Sequence, residues 1–75
     1  MGTLLGPRYR IEHRQEDLSA LIVAFAESLK VAHLAVATQR VVLGRRGIAG
    51  ELVIVDQETD ADVKTFPVAN DGPGT

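Results

Sequence analysis

The chain has 75 residues, no cysteine and a formal net charge of −2. This length fits one small domain, and the lack of cysteine excludes disulfides and thiolate metal sites. The charge is uneven: residues 1–50 carry seven basic and four acidic groups, a net of +3, whereas residues 51–75 carry one basic and six acidic groups, a net of −5. Opposed halves favour self-association or pairing within the molecule over a polyanion-binding surface.

The chain begins with glycine- and proline-containing residues 1–7, which we expect to form a flexible arm. Arg8 to His13 then alternates apolar and charged side chains, the pattern of a half-buried strand. At the other end, residues 70–75 (NDGPGT) predict a second flexible segment. The sequence therefore predicts a single folded domain over residues 8–69.

The longest apolar stretch, Leu18 to Leu43, predicts one long helix from about Gln15 to Leu43. Asp17 is the expected N-cap and Gly44 the expected C′ residue. The β-branched character of residues 41–43 leaves open whether the last turn is helical or extended. Residues in a 4-3-4-3 spacing form the predicted core stripe: Leu18, Ile22, Phe25, Leu29, Ala32, Val36, Gln39 and Leu43.

The opposite face of this predicted helix is also largely apolar, whereas a lone surface helix is polar there. In so short a chain, strands can cover one face, and we expect a second copy of the chain to cover the other. The alternative is a helix wrapped by the chain's own termini. The predicted interface residues are Val23, Val31, Leu34 and Val41.

The same stretch is a candidate membrane span. Its nine large apolar residues between Leu18 and Val36 contribute roughly −4 kcal/mol to insertion. Glu27 and Lys30 near its centre cost about 2.5–3.5 kcal/mol each. The polar cost exceeds the apolar gain, which argues against insertion and leaves a membrane-active helix as the third hypothesis.

After the helix, a glycine-rich connector precedes two further predicted strands. Leu52 to Val55 is a short, continuous apolar run, typical of a strand covered on both faces. Val63 to Val68 predicts an edge strand because Pro67 cannot donate a backbone hydrogen bond. The expected fold class is α+β: one long apolar helix with a small sheet in the order strand–helix–strand–strand, completed by oligomerisation. The first two strands are expected to be parallel and the last two to form a hairpin.

Alternating acidic residues follow the apolar run, namely Asp56, Glu58, Asp60 and Asp62. Calcium loops use such alternation, but the glycine and the glutamate that an EF-hand requires are replaced by Ala61 and Pro67. A solvated, charged turn is therefore the preferred interpretation. No metal site is predicted, although cation binding by this turn stays open.

The connector Gly44-Arg45-Arg46-Gly47 places two guanidiniums beside expected free amides. The run from Val42 to Gly47 resembles, over these six residues, the GXXG loop with which KH modules clamp a nucleic-acid backbone. The resemblance ends there, because a strand follows where a KH module continues in a helix. Arg45 and Arg46 are candidate anion-binding residues, and a small nucleic-acid-binding regulator is the alternative function.

The sequence contains no recognisable catalytic arrangement. Neither His13 nor His33 stands in a recognisable order with a serine and an acid, and no cysteine can act as a nucleophile. We expect no catalytic or cofactor-binding residues. The leading hypothesis is a non-catalytic cytoplasmic protein that acts by self-association or by packing on another protein, as an assembly component or an accessory or inhibitory subunit.

Overall fold

Four strands and one helix follow one another in the computed structural model, which describes residues 6–68. They are β1 (Tyr9–Arg14), β2 (Ala20–Ala26), α1 (Leu29–Arg45), β3 (Gly50–Asp56) and β4 (Ala61–Val68). The fold class of this part of the chain is α+β, as expected. The predicted tail and most of the predicted arm lie outside the described residues.

The strands form one antiparallel sheet in the order β2-β1-β3-β4, and α1 packs on one of its faces. The predicted strand over residues 8–13 is confirmed with a shift of one residue, and the predicted C-terminal hairpin is confirmed as β3–β4. The predicted order strand–helix–strand–strand is wrong. An additional strand, β2, reverses the chain before the helix, so β1 and β3 pair antiparallel rather than parallel.

The predicted helix from Gln15 to Leu43 is wrong in its first half. Residues 15–19 form a turn in which the Asp17 carboxylate accepts hydrogen bonds from the amide and hydroxyl of Ser19, instead of capping a helix. Leu18 lies in this turn with a φ of 68°. The helix begins at Leu29, after the Ser28 hydroxyl accepts the backbone N–H of Val31.

The predicted core stripe is correct at only three positions of the true helix, since Leu29 is exposed and Gln39 is only half-buried. Ala32, Val36 and Leu43 are buried against the sheet. Leu18, Ile22 and Phe25 are exposed instead, because a strand places alternate residues on opposite faces. Phe25 therefore lies outside the core, with 54% of its surface exposed.

The C-terminal end of the helix lies beyond the expected position. Residues 41–43 are helical and Gly44 belongs to the helix, which is capped by Arg46. Gly47 follows with a φ of 69°, a left-handed conformation that glycine adopts at low cost.

The core lies between α1 and the inner face of the sheet. Ile11, Leu52 and Ile54 from the two central strands are fully buried there. All four residues from Leu52 to Val55 are buried, which confirms the prediction of a strand covered on both faces. Since α1 covers only one face, different groups must cover the other.

Candidate interaction surface

Charged side chains cover most of the sheet face that the helix leaves open. Arg10 and Arg14 of β1 both bond the Glu12 carboxylate, with N–O distances of 2.6 and 3.0 Å. Arg10 also donates to Asp60 with an N–O distance of 2.8 Å. Arg14 forms a bidentate pair with Asp62, with N–O distances of 2.8 and 2.9 Å. These contacts join β1 to the β4 side of the sheet, so they span β3, which lies between. We call this set of five residues the ion-pair roof.

The ion-pair roof explains the burial of Val53 and Val55 without a second layer of secondary structure. Both valines are at most 1% exposed, and by strand alternation they point away from α1. Val55 stands between Arg10 and Asp62 in the strand register, and Glu12 is the β1 neighbour of Val53. The aliphatic stems of the arginines lie along such apolar surface while their guanidiniums meet the carboxylates.

The ion-pair roof lowers the pKa values of Glu12 and Asp62. The Arg10 hydrogen bond is the main cause that holds the pKa of Glu12 below its usual range, and the Arg14 bond adds to it against the opposing effect of burial. The Arg14 bond likewise lowers the pKa of Asp62. Both carboxyls are therefore held in the charged form that the arginines require.

Three of the four acidic residues of the candidate cation site therefore pair with arginines, either of β1 or just before it. Asp56 accepts hydrogen bonds from Arg8 at 3.2 and 3.3 Å, while Asp60 and Asp62 belong to the ion-pair roof. The opposed charges of the two chain halves pair within the molecule, one of the two outcomes expected. Within residues 6–68, no group of three or more potential ligands is arranged to hold a metal ion.

His13 is used to position the backbone at the start of β3. Its imidazole is buried, and its Nε2 lies 2.9 Å from the Ala49 carbonyl oxygen, to which it donates. Gly50 follows with a φ of 128°. An added Cβ there would stand 2.6 Å from the Arg14 carbonyl oxygen and 2.8 Å from the histidine Nε2. This contact is a packing constraint that sequence reasoning missed.

The exposed apolar residues of the sheet concentrate on β2. Leu21, Ile22 and Phe25 are 66%, 49% and 54% exposed. Ile22 and Phe25 lie on the open face, opposite Glu12 and Arg10 in the register, whereas Leu21 lies on the helix side. The strand is also an edge of the sheet, so one row of its backbone N–H and C=O groups has no strand partner within residues 6–68.

The outer face of α1 is the second exposed apolar area. Leu34 is 61% exposed, and Val31, Val41 and Val42 are also exposed. Val31, Leu34 and Val41, with Thr38 between them, follow a 3-4-3 spacing and share one stripe. His33 lies on one flank of the helix, between the outer and the buried faces. This flank faces β4, since the His33 ring stacks edge-to-face on Phe66 with ring centroids 5.5 Å apart.

The structure separates the four predicted interface residues. Val31, Leu34 and Val41 lie together on the outer face of α1, and their part in an interface stays a prediction. Val23 lies on β2 and packs partly against the core. The sequence did not point to Leu21, Ile22 and Phe25 as surface residues; the helix-capping Ser28 was the local signal that the preceding residues are not helical.

The two predicted anion-binding residues, Arg45 and Arg46, are exposed at the end of α1. The expected free amides are absent at Arg46 and Gly47, because these N–H groups donate to helix carbonyls of residues 42–44. That part of the prediction is wrong. Anion binding here stays a prediction that depends on the two guanidiniums alone, at the negative end of the helix dipole.

Two shallow clefts lie at one end of the sheet. One, of about 350 Å³, is lined by Arg14, Gln15, Glu16, Gly50 and Glu51. The other, of about 280 Å³, lies between the β1–β2 turn and residues 48–50. Their linings bring together no nucleophile with a base.

No helix within the described residues is long and apolar enough to cross a membrane. Comparison with protein-family models, with curated proteins and with solved structures found no match.

Proposed function

We propose that this protein acts without catalysis, by packing its exposed apolar surface against another protein chain, either a second copy or a different partner. Ten large apolar side chains are exposed in residues 6–68, as many as the ten apolar residues that form the buried core. Single exposed apolar residues are ordinary, but contiguous ones mark interaction sites. The contiguous stripe on the outer face of α1 is the observation that carries the proposal.

Other features of the molecule support a binding role over a chemical one. The carboxylates of the ion-pair roof are engaged by arginines, and the imidazole of His13 is buried against a backbone carbonyl. The roles that fit this arrangement are an assembly component or an accessory or inhibitory subunit.

Substitution of Leu34 tests the proposal. Light scattering after size exclusion is expected to give the parent protein a mass that is a multiple of 8.1 kDa. Leu34→Glu should dissociate the assembly because it places an unpaired charge in an apolar interface. Added salt should not restore assembly, since the defect is desolvation and not screened repulsion.

Ala49→Glu, an exposed position beyond the helix, is the control and should keep the parental mass. If Leu34→Glu instead keeps both the mass and the melting temperature of the parent, Leu34 is an ordinary surface residue and the proposal loses its main support. A parent that is monomeric at all concentrations would restrict the proposal to a different partner chain.

A further inference from the structure

We infer that β2 pairs edge-to-edge with β2 of a second copy, in antiparallel orientation, so that two four-stranded sheets join into one of eight strands. This inference rests on the proposed packing function: it names a second copy as the partner and adds the β2 edge to the exposed face of α1 in one interface. Antiparallel pairing of a strand with itself satisfies a two-fold axis, the commonest symmetry of homodimers. The argument depends on how the two edges of the sheet differ.

The β4 edge carries the features that prevent strand addition. It contains Asp62, Lys64 and Pro67. Charged side chains and proline are among the means by which edge strands avoid pairing with other chains. Both edge strands have a pairing irregularity, at Val23 in β2 and at Val63 in β4, so this feature does not distinguish them. This edge is therefore unsuited to a second copy.

The β2 edge lacks side chains of this kind. Its sequence ALIVAFA contains no charged residue and no proline, and three of its large side chains are exposed. A charged edge would meet its own like charges across a two-fold axis, whereas this one meets only apolar groups. The open backbone row and the exposed side chains are both compatible with an identical strand.

The helix adds area to the same junction. Val31, Ala35 and Val42 lie on the side of α1 opposite His33, the residue that contacts β4, and therefore on the β2 side of the helix. α1 contacts all four strands and β2 most extensively, so part of the helix lies near the edge at which the two sheets would join.

Substitution on each edge tests the inference. Ile22→Lys introduces a charge on the β2 edge at a half-exposed position, and the matched control Val63→Lys does the same on the β4 edge. The parent protein and Val63→Lys should both have twice the 8.1 kDa chain mass. Ile22→Lys should halve that mass while its circular dichroism spectrum stays that of the parent.

Intermolecular contacts give a second readout that does not depend on a variant. In a mixture of isotope-labelled and unlabelled protein, NMR should show contacts between α-protons of β2 residues in different copies, since Cα atoms of antiparallel pairs approach to about 4.5 Å. A dimer whose intermolecular contacts come only from the helix, and which Leu34→Glu but not Ile22→Lys dissociates, overturns the inference and keeps the proposed function. A parent protein that is monomeric at millimolar concentration overturns the inference outright.

Discussion

Gly50 is a residue at which one methyl group decides the local structure. The strand β3 begins there, close to the backbone of Arg14 and the imidazole of His13. The positive φ of 128° and the two close approaches act together. A side chain at this position is opposed both by backbone conformation and by packing.

We expect Gly50→Ala to lower the free energy of unfolding by about 2–5 kcal/mol, combining backbone strain with overpacking. Gly47→Ala is the matched control. Gly47 also has a positive φ, but an added Cβ would meet nothing within 4 Å, so Gly47→Ala should lower the free energy of unfolding by only about 1–2 kcal/mol, the cost of a left-handed backbone. Urea denaturation of the two variants measures the difference, and equal effects would show that the contact with His13 and Arg14 is unimportant.

At the scale of elements, β1 and β3 form the centre of the molecule and β2 and β4 its edges. The central strands are buried on the helix side by α1 and, at Val53 and Val55, on the open side by the ion-pair roof. The edge strands keep exposed side chains. The loss in free energy of unfolding on truncating a side chain should depend on whether the side chain lies in a central or an edge strand, and not on how hydrophobic the side chain is.

Ile54→Ala should lower the free energy of unfolding by about 2–5 kcal/mol, because it leaves a cavity in a fully buried site. Phe25→Ala removes a larger side chain, yet about half of that surface is exposed, so the loss should be only about 1 kcal/mol. Both values come from thermal or urea unfolding at the lowest protein concentration that circular dichroism permits. A larger loss for Phe25→Ala would place its ring in the core.

At the scale of the whole molecule, the basic first half and the acidic second half of the chain meet across the sheet. Glu12 is the central residue of this arrangement, since its side chain is only 12% exposed and forms hydrogen bonds with two arginines. The other four members of the ion-pair roof are all more exposed, and isolated exposed pairs contribute little to stability. Protonation of Glu12 should therefore lower the stability of the fold more than protonation of the exposed carboxyls.

Acid should destabilise the protein through these carboxyls. The pKa values of Glu12, Asp56 and Asp62 are lower in the folded state than their usual values. Their stabilising effect is thus complete above the unfolded-state pKa of about 4 and is lost as the pH falls through the lower folded-state values. The urea concentration at which half of the protein is unfolded should decrease as the pH is lowered from 5 to about 2.

Glu12→Gln should lower the free energy of unfolding at neutral pH by about 1–3 kcal/mol and make the acid dependence shallower. Glu58→Gln, at an exposed acidic residue that only approaches Arg8 at 3.6 Å, is the control and should change stability little. An unchanged acid profile in Glu12→Gln would assign the pH dependence to other carboxyls.

Elements whose residue patterns are unambiguous over a short span could be predicted from the amino-acid sequence. The alternation of β1, the continuous apolar run in β3 and the proline of the β4 edge each predicted the observed strand. The second half of the apolar stretch predicted the buried residues Ala32, Val36 and Leu43 of α1. The charge asymmetry predicted pairing within the molecule as one of two outcomes. These are local patterns, or sums over the chain, that do not depend on partners in space.

That residues 20–26 form a strand whose side chains line an exposed edge depends on contacts between distant parts of the chain. A continuous apolar run satisfies helical and extended periodicity alike, and this run is stabilised as a strand by hydrogen bonds to β1. The same holds for the ion-pair roof, since the sheet register, and not the spacing along the chain, brings Arg10 and Arg14 to the acidic residues of the last hairpin. Pairing partners across a sheet depend on the path of the whole chain, which no local periodicity contains.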